Sequence, residues 1–154
     1  MLRVTDQYFW NFVFLVFFLI LVVMGAIILE TEARIPLAEL GLVDYVLITL
    51  ASWRLTRLFV YDAITKFFRE QFWDLVKVGR GHQLQKPKIG PRRTIADLLD
   101  CPWCFGVWAT ASVTFFYLVT PYAVFPVVIL ALSGVATFLQ LVTNLVGNGA
   151  ERLK

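Results

Sequence analysis

The apolar positions of this chain come in long runs rather than in alternation. Positions 12–29 hold eighteen consecutive residues with no charged or hydrogen-bonding side chain. As a helix they extend about 27 Å, close to the roughly 30 Å hydrocarbon core of a bilayer. Three further runs behave alike, which predicts an all-α polytopic membrane protein with spanning helices over about 10–29, 42–60, 102–120 and 123–146. The last two are joined by a short turn around Pro121. The first run is expected to stay as a span and not to be removed as a leader. Arg3 is offset by Asp6, and the run ends on Glu30-Thr31-Glu32 without a small-residue cleavage site.

Between the second and third runs, positions 61–101 change character. Ile64, Phe67, Phe68, Phe72, Leu75 and Val76 recur at spacings of three and four, opposite Thr65, Lys66, Arg69, Glu70 and Asp74. This pattern predicts an amphipathic helix on the inner membrane surface, its apolar face turned either to lipid or to the spanning helices. Asp62 to Lys66 and Lys66 to Glu70 stand at supporting four-residue spacing. Positions 78–93 are rich in Gly, Pro and cations and read as a loop. Thr94 is a candidate cap for a short helix that lays Ile95, Leu98 and Leu99 on the membrane.

Composition agrees with this picture: 59% of the 154 residues are hydrophobic and 16% charged, too apolar for an ordinary soluble domain. The whole chain, 1–154, reads as one membrane domain. Its net charge of +3 is small for a nucleic-acid binder, and nucleic acid is not expected as a partner. The distribution says more. Eight of the fourteen basic residues fall within 61–101, while Glu30, Glu32 and Glu39 occupy the first connection against Arg34. Positive loops stay in the cytoplasm, so four spans put both termini inside, where Arg3, Arg152 and Lys154 fit. Lys86, Lys88, Arg92 and Arg93 are the candidates for contact with anionic phospholipid, each worth about 1 kcal/mol close to the surface.

Two cations lie within a span. Arg57 sits roughly 5 Å from the end of the second run and reaches the head groups, whereas Arg54, roughly 9 Å in, does so only at full stretch. Arg54 therefore either snorkels or faces the bundle, bonded to a helix end or to Asp62, Asp97 or Asp100. Asp44 suits a helix N-terminus. Gly106, Ala109, Thr110, Ala111 and Ser112 in the third run, and Ala131, Ser133, Gly134, Ala136 and Thr137 in the fourth, predict a close hairpin between those two helices. A homo-oligomer or another membrane protein could use the same faces.

Both cysteines occur in Asp100-Cys101-Pro102-Trp103-Cys104. Proline favours the first helical position, which makes Cys101 the cap, Pro102 the first residue and Cys104 the third. Helix starts favour thiolates, so the pair has a physical reason to be reactive. Three readings stand side by side: a helix start anchored by Trp103 and Trp108, a redox dithiol, and half of a metal site completed by a second copy. Structural zinc wants four ligands, and only His82 could add to the two cysteines. A permanent disulfide is not expected in a reducing cytoplasm. No cofactor is expected.

Two blocks together, "ASWRLTRLFVYDAIT" and "TIADLLDCPWCFGVW", resemble the bacterial membrane family known as domain of unknown function 1360. The likeness covers roughly 44–140. It rests on Arg54, Leu55, Thr56, Arg57, Asp62, Cys101, Pro102, Cys104, Gly106 and Trp108. It implies a small integral protein of the bacterial inner membrane and no established chemistry. The expected function is a structural, partner-binding or lipid-binding membrane module with a basic cytoplasmic surface. The alternative is a membrane thiol oxidoreductase or metal-binding protein acting through Cys101 and Cys104. Charges at the bilayer midplane and broken helices, which a transporter would need, are missing from the pattern.

Overall fold

A computed structural model describes residues 6–78 and 81–151 of the chain. Arg3, Arg80, Arg152 and Lys154, part of the charge pattern above, lie outside the described residues. Four long helices dominate: α1 (Asp6–Glu32), α2 (Leu42–Val60), α5 (Pro102–Val119) and α6 (Val124–Glu151). Between α2 and α5 come α3 (Lys66–Glu70), an antiparallel hairpin of β1 (Asp74–Val78) and β2 (Gly81–Gln85), and α4 (Pro91–Asp100).

The contacts fix the directions of the long helices. Gln7 meets Thr94, Phe18 meets Trp108, Gly25 meets Phe115, and the Arg34 amide donates to the Leu118 carbonyl. These pairs advance together, so α1 and α5 run the same way. Asp44 faces Tyr117 while Thr56 faces Gly106, so α2 runs against α5. Helix α6 starts beside the end of α5 and passes Leu50 and Arg54 of α2 at Gly134 and Ser133, parallel to α2.

The central cluster of buried side chains comes from α2, α5 and α6: Ile48 and Ala51, Val113, Tyr117 and Leu118, Val127 and Ala131; Leu29 of α1 packs against it, and α4 buries Ala96 and Leu99. Small residues set its geometry. A Cβ on Gly134 would stand 3.0 Å from the Leu50 carbonyl oxygen, so α6 lies almost backbone to backbone against α2. The expected close hairpin of the third and fourth runs is thereby corrected. Helix α2 lies between α5 and α6; Gly106 of α5 and Ser133 and Gly134 of α6 face it, and α5 and α6 hardly touch each other, while Thr110, Ser112 and Ala136 are exposed.

Of the long helices, α1, α5 and the stretch Pro121–Gly149 are long and apolar enough to cross a membrane, with mean hydropathies of 3.3, 1.3 and 2.2. Helix α2 has the length but carries Asp44, Arg54 and Arg57 in 19 residues. None of the residues of α1 is buried by the rest of the chain.

The surface helix expected over 64–76 is also corrected. After a 3-10 turn over Ala63–Thr65, α3 lasts five residues, and the chain enters β1 at Asp74. The spacing was compatible with a helix, but the backbone of 74–78 finds a ladder with 81–85, Leu75 opposite Leu84 and Lys77 opposite His82. Nine of the fourteen described residues of the expected loop over 78–93 are therefore strand or helix. Arg92 ties the hairpin down by donating to Asp74 at 3.0 Å and to the Gln71 carbonyl at 3.0 Å. Helix α4 starts at Pro91 with Gly90 as its cap, not at Thr94. Gly90 takes φ 106°, a conformation that glycine alone adopts cheaply, and proline supplies the first helical φ.

Candidate functional site

The two sequence blocks meet at one end of the bundle. Thr56 donates to the Ser52 carbonyl at 2.8 Å, so its polar group is satisfied within α2, and its side chain lies against Gly106 of α5. One turn on, the Phe59 and Phe105 rings are 5.3 Å apart. A side chain extending beyond Cβ at 106 would press on Thr56, whereas a methyl group alone would make ordinary contact with it.

Arg54 faces the bundle. Its guanidinium donates to Asp62 at 2.7 Å and through Nε to Ser133 of α6 at 2.9 Å. Of the three acids considered for it, Asp62 alone is its partner; Asp97 and Asp100 are engaged elsewhere. Asp62 accordingly does not pair with Lys66, which reaches only Glu70, at 3.5 Å. Arg57 lies over the rings of Trp53 and Tyr61, at 5.7 and 5.2 Å, and its buried Nε has no hydrogen-bond partner. The carbonyls left open at the end of α2 are closed by the following segment: Thr65 donates to Leu58, and Arg69 to Phe59 at 2.9 Å. That closure turns the chain and positions Asp62 under Arg54.

Helix α4 ends and α5 begins at the same residue. Cys101 gives its amide to Leu98 and caps α5, its Sγ accepting from the Cys104 amide at 3.2 Å; Pro102 is the first helical residue, as expected. The expectation against a disulfide is corrected: Cys101 and Cys104 are joined. The helix start brings their Cα atoms to 5.3 Å, inside the range a bridge requires. Trp103 stands outside, 87% exposed, while Trp108 packs on Phe18 and Phe17 of α1.

The expected cationic patch is largely paired. Lys86 sits between Asp97 at 3.0 Å and Asp100 at 2.7 Å, and Arg93 holds the other oxygen of Asp97 at 2.7 Å. Arg92 pairs with Asp74, and Lys88 is exposed. Partial burial alone would lower the affinity of Lys86 for its proton, but hydrogen bonds and charge from Asp100 and Asp97 outweigh it and hold its pKa above the ordinary lysine value. Burial likewise works against the Asp97 carboxylate, and the hydrogen bonds from Arg93 and Lys86 override it, leaving its pKa below the ordinary value. The acids come from positions flanking 78–93, which is why the segment read alone looked purely basic.

Lys86, Asp97 and Asp100 border a cleft of about 660 Å³ between the first half of α1, α4 and the start of α5, with Cys101 and Cys104 in its wall. Thr94, expected as a helix cap, is buried behind it, accepting from Gln7 at 2.8 Å and donating to Asn11 at 3.0 Å. Among the described residues, no group of three or more His, Cys, Asp or Glu could hold a metal ion, and His82 is exposed on the hairpin.

Two links escaped sequence reasoning. Tyr117 donates to Asp44 at 2.6 Å, and the other oxygen of Asp44 accepts from the Gly41 amide at 2.9 Å, fastening α2 to α5 at the far end. Placing residue 117 at the level of residue 44 in antiparallel helices would have suggested it. The Gln7–Asn11–Thr94 cluster joins residues more than eighty positions apart and left no local signal.

No solved structure matches the chain. It is similar to the UPF0713 protein YngL of Bacillus subtilis (strain 168), 32% identical over 103 residues, covering 66% of this chain and 79% of the relative. It is also similar to the sporulation protein YjcA of the same organism, 32% identical over 101 residues, covering 62% of this chain and 86% of that one. The family described as "Protein of unknown function (DUF1360)" matches residues 47–143, from α2 through most of α6 and including both blocks. The chain belongs to the DUF1360 family.

Proposed function

We propose that this chain is a four-span integral protein of a bacterial inner membrane. Its basic end faces the cytoplasm, and it serves as a structural module that binds lipid or a membrane partner. The observation that carries the reading is the surface of α1: 27 residues, almost all apolar beyond Asn11, with none buried by the rest of the chain. Such a surface needs lipid or other helices around it. The bonds of Arg54 to Asp62 and Ser133 support α2 as the fourth span, because a cation at that depth is tolerated once it is paired. The exposed Lys88 and the excess of cations over 61–101 support the cytoplasmic side.

Single cysteines in a Cys101→Ser, Cys104→Ser background test the arrangement. Lys88→Cys is expected to react with a membrane-impermeant maleimide only after permeabilisation, and Ala38→Cys in intact cells. Labelling of Lys88→Cys in intact cells would reverse the orientation, and labelling of both positions from one side would remove α2 as a span. Release of the protein by alkaline carbonate would overturn the membrane reading altogether.

A further inference from the structure

The cleft between α1, α4 and α5 has two chemically different ends. Along the helices its walls are Phe14, Phe18, Val107 and Trp108. Where α4 meets α5 they become Lys86, Asp97 and Asp100. Leu15 and Val107 are exposed, so the cleft opens sideways between α1 and α5. Its volume of about 660 Å³ falls within the roughly 300–1,000 Å³ of small-ligand sites.

The charges select the occupant. One ammonium and two carboxylates border the cleft, and Arg93, which neutralises part of Asp97, is not among its lining residues. Lys86 is paired with both carboxylates, so an anionic head group alone would meet the two acids, and an uncharged one would add nothing to the existing pairs. A head group carrying a phosphate next to a primary ammonium answers both signs: the phosphate approaches Lys86 and the ammonium donates to Asp100. A quaternary ammonium has no N–H to give to a carboxylate.

From this complementarity we infer that the cleft holds one amine-bearing zwitterionic phospholipid, a phosphatidylethanolamine. Its head lies between Lys86 and Asp100, and an acyl chain lies against Phe14, Phe18 and Trp108. The inference rests on the membrane reading above, which brings the side opening of the cleft into contact with lipid.

Trp108 provides the readout. The full chain is placed in phosphatidylcholine vesicles containing brominated phosphatidylethanolamine or, separately, brominated phosphatidylglycerol, and quenching is assigned to Trp108 by difference from Trp108→Phe. Phosphatidylethanolamine is expected to reach half-maximal quenching at about one fifth of the mole fraction needed by phosphatidylglycerol, the ratio that one favourable charge pair supports. Asp100→Asn is expected to abolish the ratio. Asp100 is exposed and bonds only Lys86 among its salt-bridge partners, so the variant should fold, which its far-ultraviolet dichroism checks. Equal quenching by the two lipids, or a ratio that survives Asp100→Asn, overturns the lipid site and leaves the membrane reading standing. Absence of Trp108 quenching by either brominated lipid likewise overturns the lipid site, whereas the membrane reading falls only on release of the protein by alkaline carbonate.

Discussion

Arg54 and Asp62 are 2.7 Å apart across the C-terminal end of α2, and the same guanidinium reaches Ser133 on α6. Their side chains are 16% and 29% exposed, between the surface and fully buried limits. Asp62→Asn is therefore expected to cost about 1–3 kcal/mol. Arg54→Lys should cost nearly as much, because one ammonium cannot reproduce the fork that serves both partners. Ser133→Ala should cost less. Thermal unfolding in detergent, followed by tryptophan emission, ranks the three; equal stability of Asp62→Asn and the parent would show that the pair contributes nothing.

Gly134→Ala is expected to destabilise by about 1–3 kcal/mol, since the new methyl would press on the Leu50 carbonyl, a rigid backbone atom. Gly106→Ala meets only Thr56 at 3.7 Å and should be tolerated. Gly147→Ala meets nothing and should gain up to about 1 kcal/mol from helix propensity. The order of melting temperatures, 147 above 106 above 134, is the test.

The contact between α4 and the hairpin should have a defined pH window. The lowered pKa of Asp97 adds stability that is present above the unfolded carboxyl value, about 4, and is lost as pH falls through the folded value. The raised pKa of Lys86 adds stability that is present below the unfolded value, about 10.4, and is lost as pH rises through the folded one. Amide exchange in α4 should therefore be slowest, after correction for intrinsic rates, on a plateau between these limits. Lys86→Met should remove the alkaline limb.

On the proposed cytoplasmic side the Cys101–Cys104 disulfide is expected to be reducible, opening to thiols in growing cells and closing again on brief exposure to diamide, since the helix start holds their Cα atoms at 5.3 Å. Acid quenching followed by alkylation with a mass tag reads the state directly. A disulfide in untreated cells would place this end of the bundle outside the reducing compartment. Cys101→Ser should keep the cap of α5, whereas Cys101→Ala should lose about 1 kcal/mol.

Long-range apolar runs and local capping rules were legible in the chain. They placed α1, the Cys101 cap and Pro102 at the first position of α5, whereas the contact of the two blocks at Thr56 and Gly106 came only with the fold. Features decided by non-local pairing were not legible. The period of 64–76 is compatible with a helix, and only the presence of 81–85 as a partner converts its second half to strand. Gly90 and Pro91 carried a start signal that Thr94, a better capping type, obscured. That Arg54 would choose Asp62 over Asp97 depends on Thr65 and Arg69 turning the chain under the end of α2. The basic look of 78–93 disappeared once Asp74, Asp97 and Asp100 were folded onto it.

Helix α1 has no fully buried residue in the central cluster, against which only its Leu29 packs, and the family match begins only in α2. The bundle of α2, α5 and α6 is thus complete without it, and α1 leans on that bundle through the Phe17, Phe18 and Trp108 rings and the Gln7–Asn11–Thr94 bonds. It is a wall added to the outside of that unit. Gain or loss of that wall would open or close the space beside Cys101 without altering how the inner three helices fit together.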